Sequence, residues 1–548
     1  MGQCRRTSEK RRVAKDHSGR KAVAGVLTAF LLACCAQALA QAPAPAPVQA
    51  PVAPRFDIQR FIVEGNSLLT QAEIDRIVAP FTGKSRDFGD VQRALEALQD
   101  TYLARGFIAV RVNVPEQDLV SGQVRLEVVE ARIGRVRVEN NKFFSEANVR
   151  ASMPTLAVGE PPNTRRISQG AQLVNENPAK QVTSGLEASD EERKIDAVIR
   201  VTDSNPKKFT AFLDNTGNSP TGYYRAGLGF QHANVADRDH VLNAQLITSP
   251  TQTKDVAIVG LGYRIPVYSR QGAIDVMAGY SNVNSGTVQN LFNVSGAGST
   301  YGLRYTQILP RIETYEQKLA LGLDYRAFHN NVVLVGTTES LVPDLTVKPL
   351  TLTYTGRQSQ VGRDISFYGS VSQNLPGGAH ADQAAFTLQR EGAIAGYTVW
   401  RIGAAYSQVL PRDFLLRAAF SAQQTKNLLV PAEQFGMGGM DSVRGFHERE
   451  TANDVGHRVS FELYTPDFGA RVGNDWRSRA LVFVDAARGS DNEPARGTDN
   501  GLASAGIGVR MNHGKSLAMR FDLARVLNEA GTRPAGKEMV QFSVAYSF

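Results

Sequence analysis

From Phe209 to Phe548, apolar and polar residues alternate with a period of two and helical spacing is absent. In YEQKLALGLDYRA, Leu319, Leu321, Leu323 and Tyr325 fall on one side of an extended strand, with Lys318, Asp324 and Arg326 on the other. In SLAMRFDLARV, Leu517, Met519, Phe521 and Leu523 oppose Arg520 and Asp522. Sixteen strands are expected, near 209–215, 221–233, 240–249, 255–267, 270–283, 300–309, 314–328, 348–357, 363–374, 397–409, 413–425, 457–467, 480–488, 501–512, 515–527 and 539–548. An apolar face set against a charged one fits lipid outside and water inside, because a charge on the lipid side near the midplane costs about 2–4 kcal/mol. Such strands must also close on themselves, since unpaired backbone groups in hydrocarbon are expensive. A soluble β-sandwich would break the region into shorter strands and smaller domains. The last strand, VQFSVAYSF, puts Phe542, Val544, Tyr546 and Phe548 on one face and reads as the closing strand of a barrel spanning 206–548.

Upstream the texture differs. Residues 56–131 and 132–205 read as one α+β unit used twice, each in the order β-α-α-β-β. The first has FDIQRFIVEG (56–65), helices near 70–79 and 89–105, then FIAVRVNVP (107–115) and QVRLEVVEA (123–131). Val91, Leu95, Leu98, Tyr102 and Leu103 keep near-helical spacing in its second helix. The second has RIGRVRVENN (132–141), helices near 145–152 and 164–176, QVTSGLEA (181–188) and RKIDAVIRV (193–201). An exposed strand edge at 107–113 or 181–187 would accept an added strand from another chain, which singles out Phe107, Val110, Val112 and Val182.

The beginning of the chain changes the composition. Residues 1–21 hold eight Lys/Arg and two acidic residues, and the apolar run AVAGVLTAFLLACC (22–35) follows. With Ala38-Leu39-Ala40 as a small-x-small site, a signal peptide over 1–40 is expected, cleaved before Gln41. Its removal would take all three cysteines and six of the eight net positive charges, leaving a nearly neutral chain without disulfides or thiol chemistry. The sequence pI of 9.3 is thus no argument for nucleic-acid binding. QAPAPAPVQAPVAP opens a Pro/Ala-rich linker, 41–55, that should be extended.

One glycine-rich stretch, GGMDSVRGFHERE (438–450), lies in the long connection between the eleventh and twelfth expected strands. With odd strands running outward this is the sixth extracellular loop. Strand thirteen carries RALVFVDAARG, where Phe483 and Asp485 share one face and Val482, Val484 and Ala486 the other. If the apolar face meets lipid, Asp485 points into the lumen.

On these features the chain resembles an outer-membrane transporter of the two-partner secretion pathway (TpsB type, the haemolysin activator or ShlB/FhaC/HecB family). Its parts would be two POTRA (polypeptide-transport-associated) domains and a sixteen-stranded antiparallel barrel. The matching motifs are Val443-Arg444-Gly445-Phe446, Phe483-x-Asp485, and the first barrel hairpin, LDNTGNSPTGYYRAG (213–227). Glu64-Gly65-Asn66 and Tyr102-x3-Gly106-Phe107 carry the POTRA likeness. The resemblance implies that the sixth loop folds back into the barrel and that Arg444 pairs with Asp485 as a conformational latch. It implies periplasmic POTRA domains, and export of one large unfolded exoprotein (adhesin, cytolysin or contact-dependent toxin) to the surface or medium. It further implies partners in outer-membrane lipid and in the barrel-assembly machinery that would insert the chain. Phe542, Tyr546 and Phe548 would mark the closing strand. Some members carry a barrel-plugging helix ahead of the POTRA domains; residues 41–55 leave no room for one and its linker.

The alternative is a general barrel-assembly factor, but two POTRA domains are the number typical of the secretion branch. An enzyme is not expected: there is no G-x-S-x-G, no H-E-x-x-H and no G-x-x-x-x-G-K-[ST], and His447-Glu448-Arg449-Glu450 is not a zinc motif. No cofactor, metal or nucleic-acid partner is expected either.

Overall fold

The structure, a computed structural model, describes residues 54–118, 121–218, 221–254, 256–283, 286–288, 292–294, 297–329, 344–493 and 499–548. The expected signal segment, its cleavage residues Ala38, Ala40 and Gln41, and nearly all of the linker lie outside these residues.

Two small α/β modules precede the barrel. In the first, Arg60–Glu64 runs parallel to Gln123–Glu130, and Val110–Asn113 pairs antiparallel on that strand's other side. Helices α1 (Gln71–Val78) and α2 (Phe88–Ala104) pack on this sheet. A capping box at Thr70 and Glu73 starts α1, and Asp87 accepts from Asp90 N–H at the start of α2. Ile74, Val91, Leu98, Tyr102, Val124 and Leu126 close the core. Gly65 turns the chain after the first sheet strand at φ +79°, where a Cβ would lie 2.3 Å from Val128 carbonyl oxygen. The second module repeats the plan: Arg132–Glu139 parallel to Lys194–Asp203, Lys180–Ala188 antiparallel to it, with α3 (Glu146–Ser152) and α4 (Thr164–Val174). Asn163 caps α4 and also donates to Arg105 carbonyl at 2.9 Å, tying the modules together.

Two details depart from the expectation. The strand read at 56–65 is split: Phe56–Ile58 pairs with Gly83–Arg86, and only Arg60–Glu64 enters the sheet. The break falls at Gln59, whose N–H is held by Gly122 carbonyl at 2.7 Å. The strand read at 107–115 shortens to Val110–Asn113, because Phe107 N–H still caps α2 through Tyr102 carbonyl. Phe107 is therefore not on the strand edge.

The barrel strands are β1 (Lys207–Asp214), β2 (Arg225–Val235), β3 (His240–Thr248), β4 (Ile258–Val267), β5 (Gly272–Ser281), β6 (Gly298–Ile308), β7 (Tyr315–Phe328) and β8 (Leu345–Val347 and Pro349–Gln360). They continue as β9 (Arg363–Asn374), β10 (Thr398–Val409), β11 (Leu415–Gln424), β12 (Val455–Tyr464), β13 (Trp476–Ser490), β14 (Asn500–His513), β15 (Leu517–Asn528) and β16 (Glu538–Ser547). All neighbours are antiparallel, and β16 returns to β1 through Ser543↔Asp214 to Ser547↔Thr210, which closes the barrel. Both parts of β8 hold one register on β7; the interruption comes at Lys348-Pro349, where proline has no N–H to give.

Alternation places the two faces as expected. Val482 and Val484 are 54% and 50% exposed in the isolated chain while Asp485 is fully buried, so the apolar residues face lipid and the polar ones the lumen. Tyr546 and Phe548 stand on the lipid side, with Phe548 stacked on Phe209 across the closure. Turns after even strands are short, as at 361–362, apart from 465–475, and connections after odd strands are longer than the rest of them, which puts the modules at the periplasmic end.

Candidate functional site

The connection from β11 to β12 enters the lumen. Its stem is a ribbon of Phe435–Met437 and Thr451–Asn453, and its tip carries the glycine-rich stretch. Gly438 and Gly439 have φ of +101° and +112°, a reversal that side-chain-bearing residues rarely adopt. At the tip Arg444 meets the wall.

Its guanidinium grips Asp485 of β13 with two parallel bonds, Nε to Oδ2 at 2.6 Å and Nη2 to Oδ1 at 2.8 Å. The backbone N–H of Arg444 reaches the same carboxylate at 3.2 Å. Phe483, two residues earlier on the same face, lies beneath the guanidinium with its ring centroid 3.5 Å from Cζ. The spacing in Phe483-x-Asp485 thus supplies both a floor and an anion from adjacent lumen positions. Arg444 is 2% exposed and Asp485 0%. Val443 and Phe446 are fully buried, packing against Ala487 and Leu502 of the wall and Val526 of β15. Gly445, at φ +88°, passes so close to β15 that a Cβ would sit 3.2 Å from that of Ala524.

Several partners escaped the sequence reading. Glu462 of β12 accepts from Arg444 Nη1 at 2.7 Å, and Ser460 donates to Asp485 Oδ1 at 2.6 Å. Asp522 of β15 lies 3.7 Å from Nη1 and is itself clamped by Arg510 and Arg520. Three arginines therefore interleave with three carboxylates, so no charge here stands alone in a buried place. Gln541 of β16 takes Gly445 N–H at 3.1 Å and gives to Phe446 carbonyl. The lumen parity of Glu462, Asp522 and Gln541 was readable in the sequence; their convergence was not, because it depends on register, as in Ser460↔Asp485.

The remaining expected site residues fall elsewhere. Val110, Val112 and Val182 do lie on outer strands of their sheets, but their side chains point into the module cores at 2%, 6% and 2% exposure. Whatever those edges offer a partner is backbone. Phe107 packs partly against the first module's core. Phe542 stacks on Phe521 next to the closure. Among the described residues no group of three or more His, Cys, Asp or Glu could hold a metal ion.

A closed barrel with an apolar outer face, a loop tip seated on its inner wall and POTRA-like modules at its periplasmic end define an outer-membrane transporter. The first module, residues 56–131, matches the ShlB-type POTRA domain. Residues 194–511 match the haemolysin secretion/activation protein ShlB/FhaC/HecB, and the chain belongs to that family of two-partner secretion transporters. The outer membrane transporter CdiB of Escherichia coli O6:K15:H31 (strain 536 / UPEC) is 25% identical over 482 residues, covering 84% of this chain and 77% of its own. The heme/hemopexin transporter protein HuxB of Haemophilus influenzae (strain ATCC 51907 / DSM 11121 / KW20 / Rd) is 21% identical over 476 residues, covering 84% and 82%. A solved structure of CdiB from Escherichia coli shares the fold, with a TM-score of 0.75 at 20% identity over 92% of this chain and 93% of that one.

Proposed function

We propose that this transporter exports one large exoprotein, which reaches its periplasmic modules unfolded and leaves through the barrel lumen. The class of cargo, whether adhesin, cytolysin or contact-dependent toxin, is left open by this reading. The observation that carries it is the seated loop: a buried, bidentate Arg444–Asp485 pair with an aromatic floor is a lock that holds the loop inside the lumen, where it narrows the route a chain would take. Arg444 acts as the bolt, Asp485 and Phe483 as its seat, and Val443, Gly445 and Phe446 as the tip that must leave for the lumen to widen. In this reading the chain divides at 56–131, 132–205 and 206–548. Lipid contacts the outer face, and the barrel-assembly machinery inserts the chain. No nucleotide is needed, because folding of the emerging partner outside supplies the drive. The activity is transport, not catalysis.

Quantitative mass spectrometry of medium and outer membranes tests this, comparing wild type with a deletion. Loss of one large exoprotein from the medium, with other barrels at normal levels, is the expected result. A common decline of many unrelated barrels would overturn it in favour of a general assembly role.

A further inference from the structure

The lipid side of the wall that seats the loop tip is not smooth. It carries a groove of about 580 Å³ across β12 to β16. Leu463, Val482, Ile507, Leu523 and Val540 form one cross-strand row along it, each in register with the next and each exposed in the isolated chain. Ala480, Val509 and Phe521 form a second row on the periplasmic side of the first, and Ala480 is its short member. Leu463 is the next-to-last residue of β12, at the periplasmic end, and Val540 the third of β16, at the extracellular end. The groove therefore climbs obliquely through the membrane.

An apolar lining alone selects nothing here, since hydrocarbon tails are as apolar as leucine. Selection has to come from the periplasmic end of the groove, which Phe414 and Thr465 border. Trp476 marks the headgroup level there: it opens β13 with outward parity and packs on His513 at the end of β14, ring centroids 5.1 Å apart. The rim around it, residues 411–414, 465–479 and 513–516, holds five Lys/Arg against three Asp. Arg479 is spent on Asp413, through two Nη2 bonds of 2.8 Å, and on Thr465 carbonyl at 2.9 Å. Asp467 accepts from Gly469 and Ser478 N–H. Arg412, Arg471, Arg477 and Lys515 are exposed, and among the described residues none of them is in an ion pair. A cationic rim over an apolar trough is the complement of a phosphodiester that carries acyl chains.

The groove also backs the latch. Leu463 follows Glu462 in the chain, Val482 precedes Phe483, and Phe521 and Leu523 flank Asp522. Residues that line the groove outside thus alternate with those that meet Arg444 inside.

We infer that this groove is a binding site for one glycerophospholipid of the periplasmic leaflet, with an acyl chain laid between the two rows and its phosphate among Arg412, Arg471 and Arg477. The bound chain braces β12 to β15 from outside, behind the seat of the loop tip.

The test places the full-length chain in vesicles of phosphatidylethanolamine and phosphatidylglycerol, with a diazirine in one acyl chain of the phosphatidylglycerol. Adducts mapped by mass spectrometry should be at least fivefold denser over 480–482 and 507–509 than at Leu321 and Leu323, which face lipid on β7. Even labelling around the barrel would mean annular lipid only and would overturn the proposal. So would a dimer cross-linked through the groove, or a lipopolysaccharide probe that labels it and is not displaced by phospholipid. Ala480→Trp should fill the trough and cut labelling at 507–509 at least fivefold. Should that variant fail to fold, Arg471→Glu with Arg477→Glu decides. Labelling should then drop at least threefold at wild-type heat-modifiability, and unchanged labelling would overturn the phosphate assignment. In the same double variant, protease cleavage within 438–450 should rise at least twofold; no rise would contradict the bracing.

Discussion

The two sides of the lumen are built differently. Strands β12 to β16 meet the loop tip with interlocked charges, a stacked ring and fully buried apolar contacts. Across from them, β1 to β10 border a cavity of about 630 Å³ whose walls carry Asp214, Arg225, Arg304, Asp324, Arg326 and Arg401. The loop is not a central plug. It is fastened to one wall, and the opposite wall stays polar and open. The charges on the first wall are used up in holding the tip; on the second, Arg326 pairs with Asp324 and Arg225 with nearby backbone carbonyls, which leaves Arg304 facing the cavity. The tether between the sides is thin: Glu433, at the loop's base, reaches back to Arg326 at 2.9 Å and Arg401 at 3.4 Å.

The largest break in this asymmetry should come from Arg444→Ala. Removing one member of a buried pair costs about 3–5 kcal/mol, and lumen water lowers that figure. The tip should leave its seat, seen as new protease cleavage within 438–450 on intact cells and as raised single-channel conductance. Phe483→Leu keeps the ion pair but removes the ring face, a loss of about 2 kcal/mol or less. The same conductance assay should then show brief openings in place of a stable open state. Arg304→Glu, on the open wall, should leave the loop seated and move the reversal potential of the pore toward cation preference, measured in planar bilayers under a salt gradient.

The smallest expected effect lies away from the lumen. In the first module Glu73 is held down to a pKa of about 2, against the ordinary 4.5, mainly by its bond from Arg105 and next by the Thr70 cap. A depressed carboxylate contributes stability above its unfolded pKa and loses it as pH falls through the folded one. The module's contribution from this pair should therefore decline between pH 4.5 and 2. Thermal melts of wild type and Glu73→Gln at pH 5 and pH 3 should show the slope in the former and its absence in the latter.

Why the barrel was legible and the site less so has a physical reason. A strand between lipid and water must alternate, so every β-strand of the barrel announces itself locally; β9 and β7 were placed within a residue. The pair Arg444–Asp485 came from a resemblance, and its geometry from the structure. Glu462, Asp522 and Gln541 join it through strand register over long sequence separations, which no local pattern encodes. The module edges show the same limit. Val110, Val112 and Val182 were singled out by their place on candidate edge strands, which could not tell that their side chains face the module cores. Nor could the pattern place Gln99 and Asn175, whose amides complete backbone pairing at both edges, as Asn215 does beside the barrel closure with Phe542 N–H at 2.8 Å.

The central claim is that Arg444 and Asp485 work as one unit in holding the loop within the transport route, and a double-mutant cycle tests it most directly. Secretion of the exoprotein would be measured for Arg444→Ala, Asp485→Ala and the double variant, at matched barrel abundance. The account predicts that each single change disturbs secretion and that the double variant is no worse than the more severe single. Effects that multiply in the double variant would mean the two residues act independently, and the latch would be contradicted.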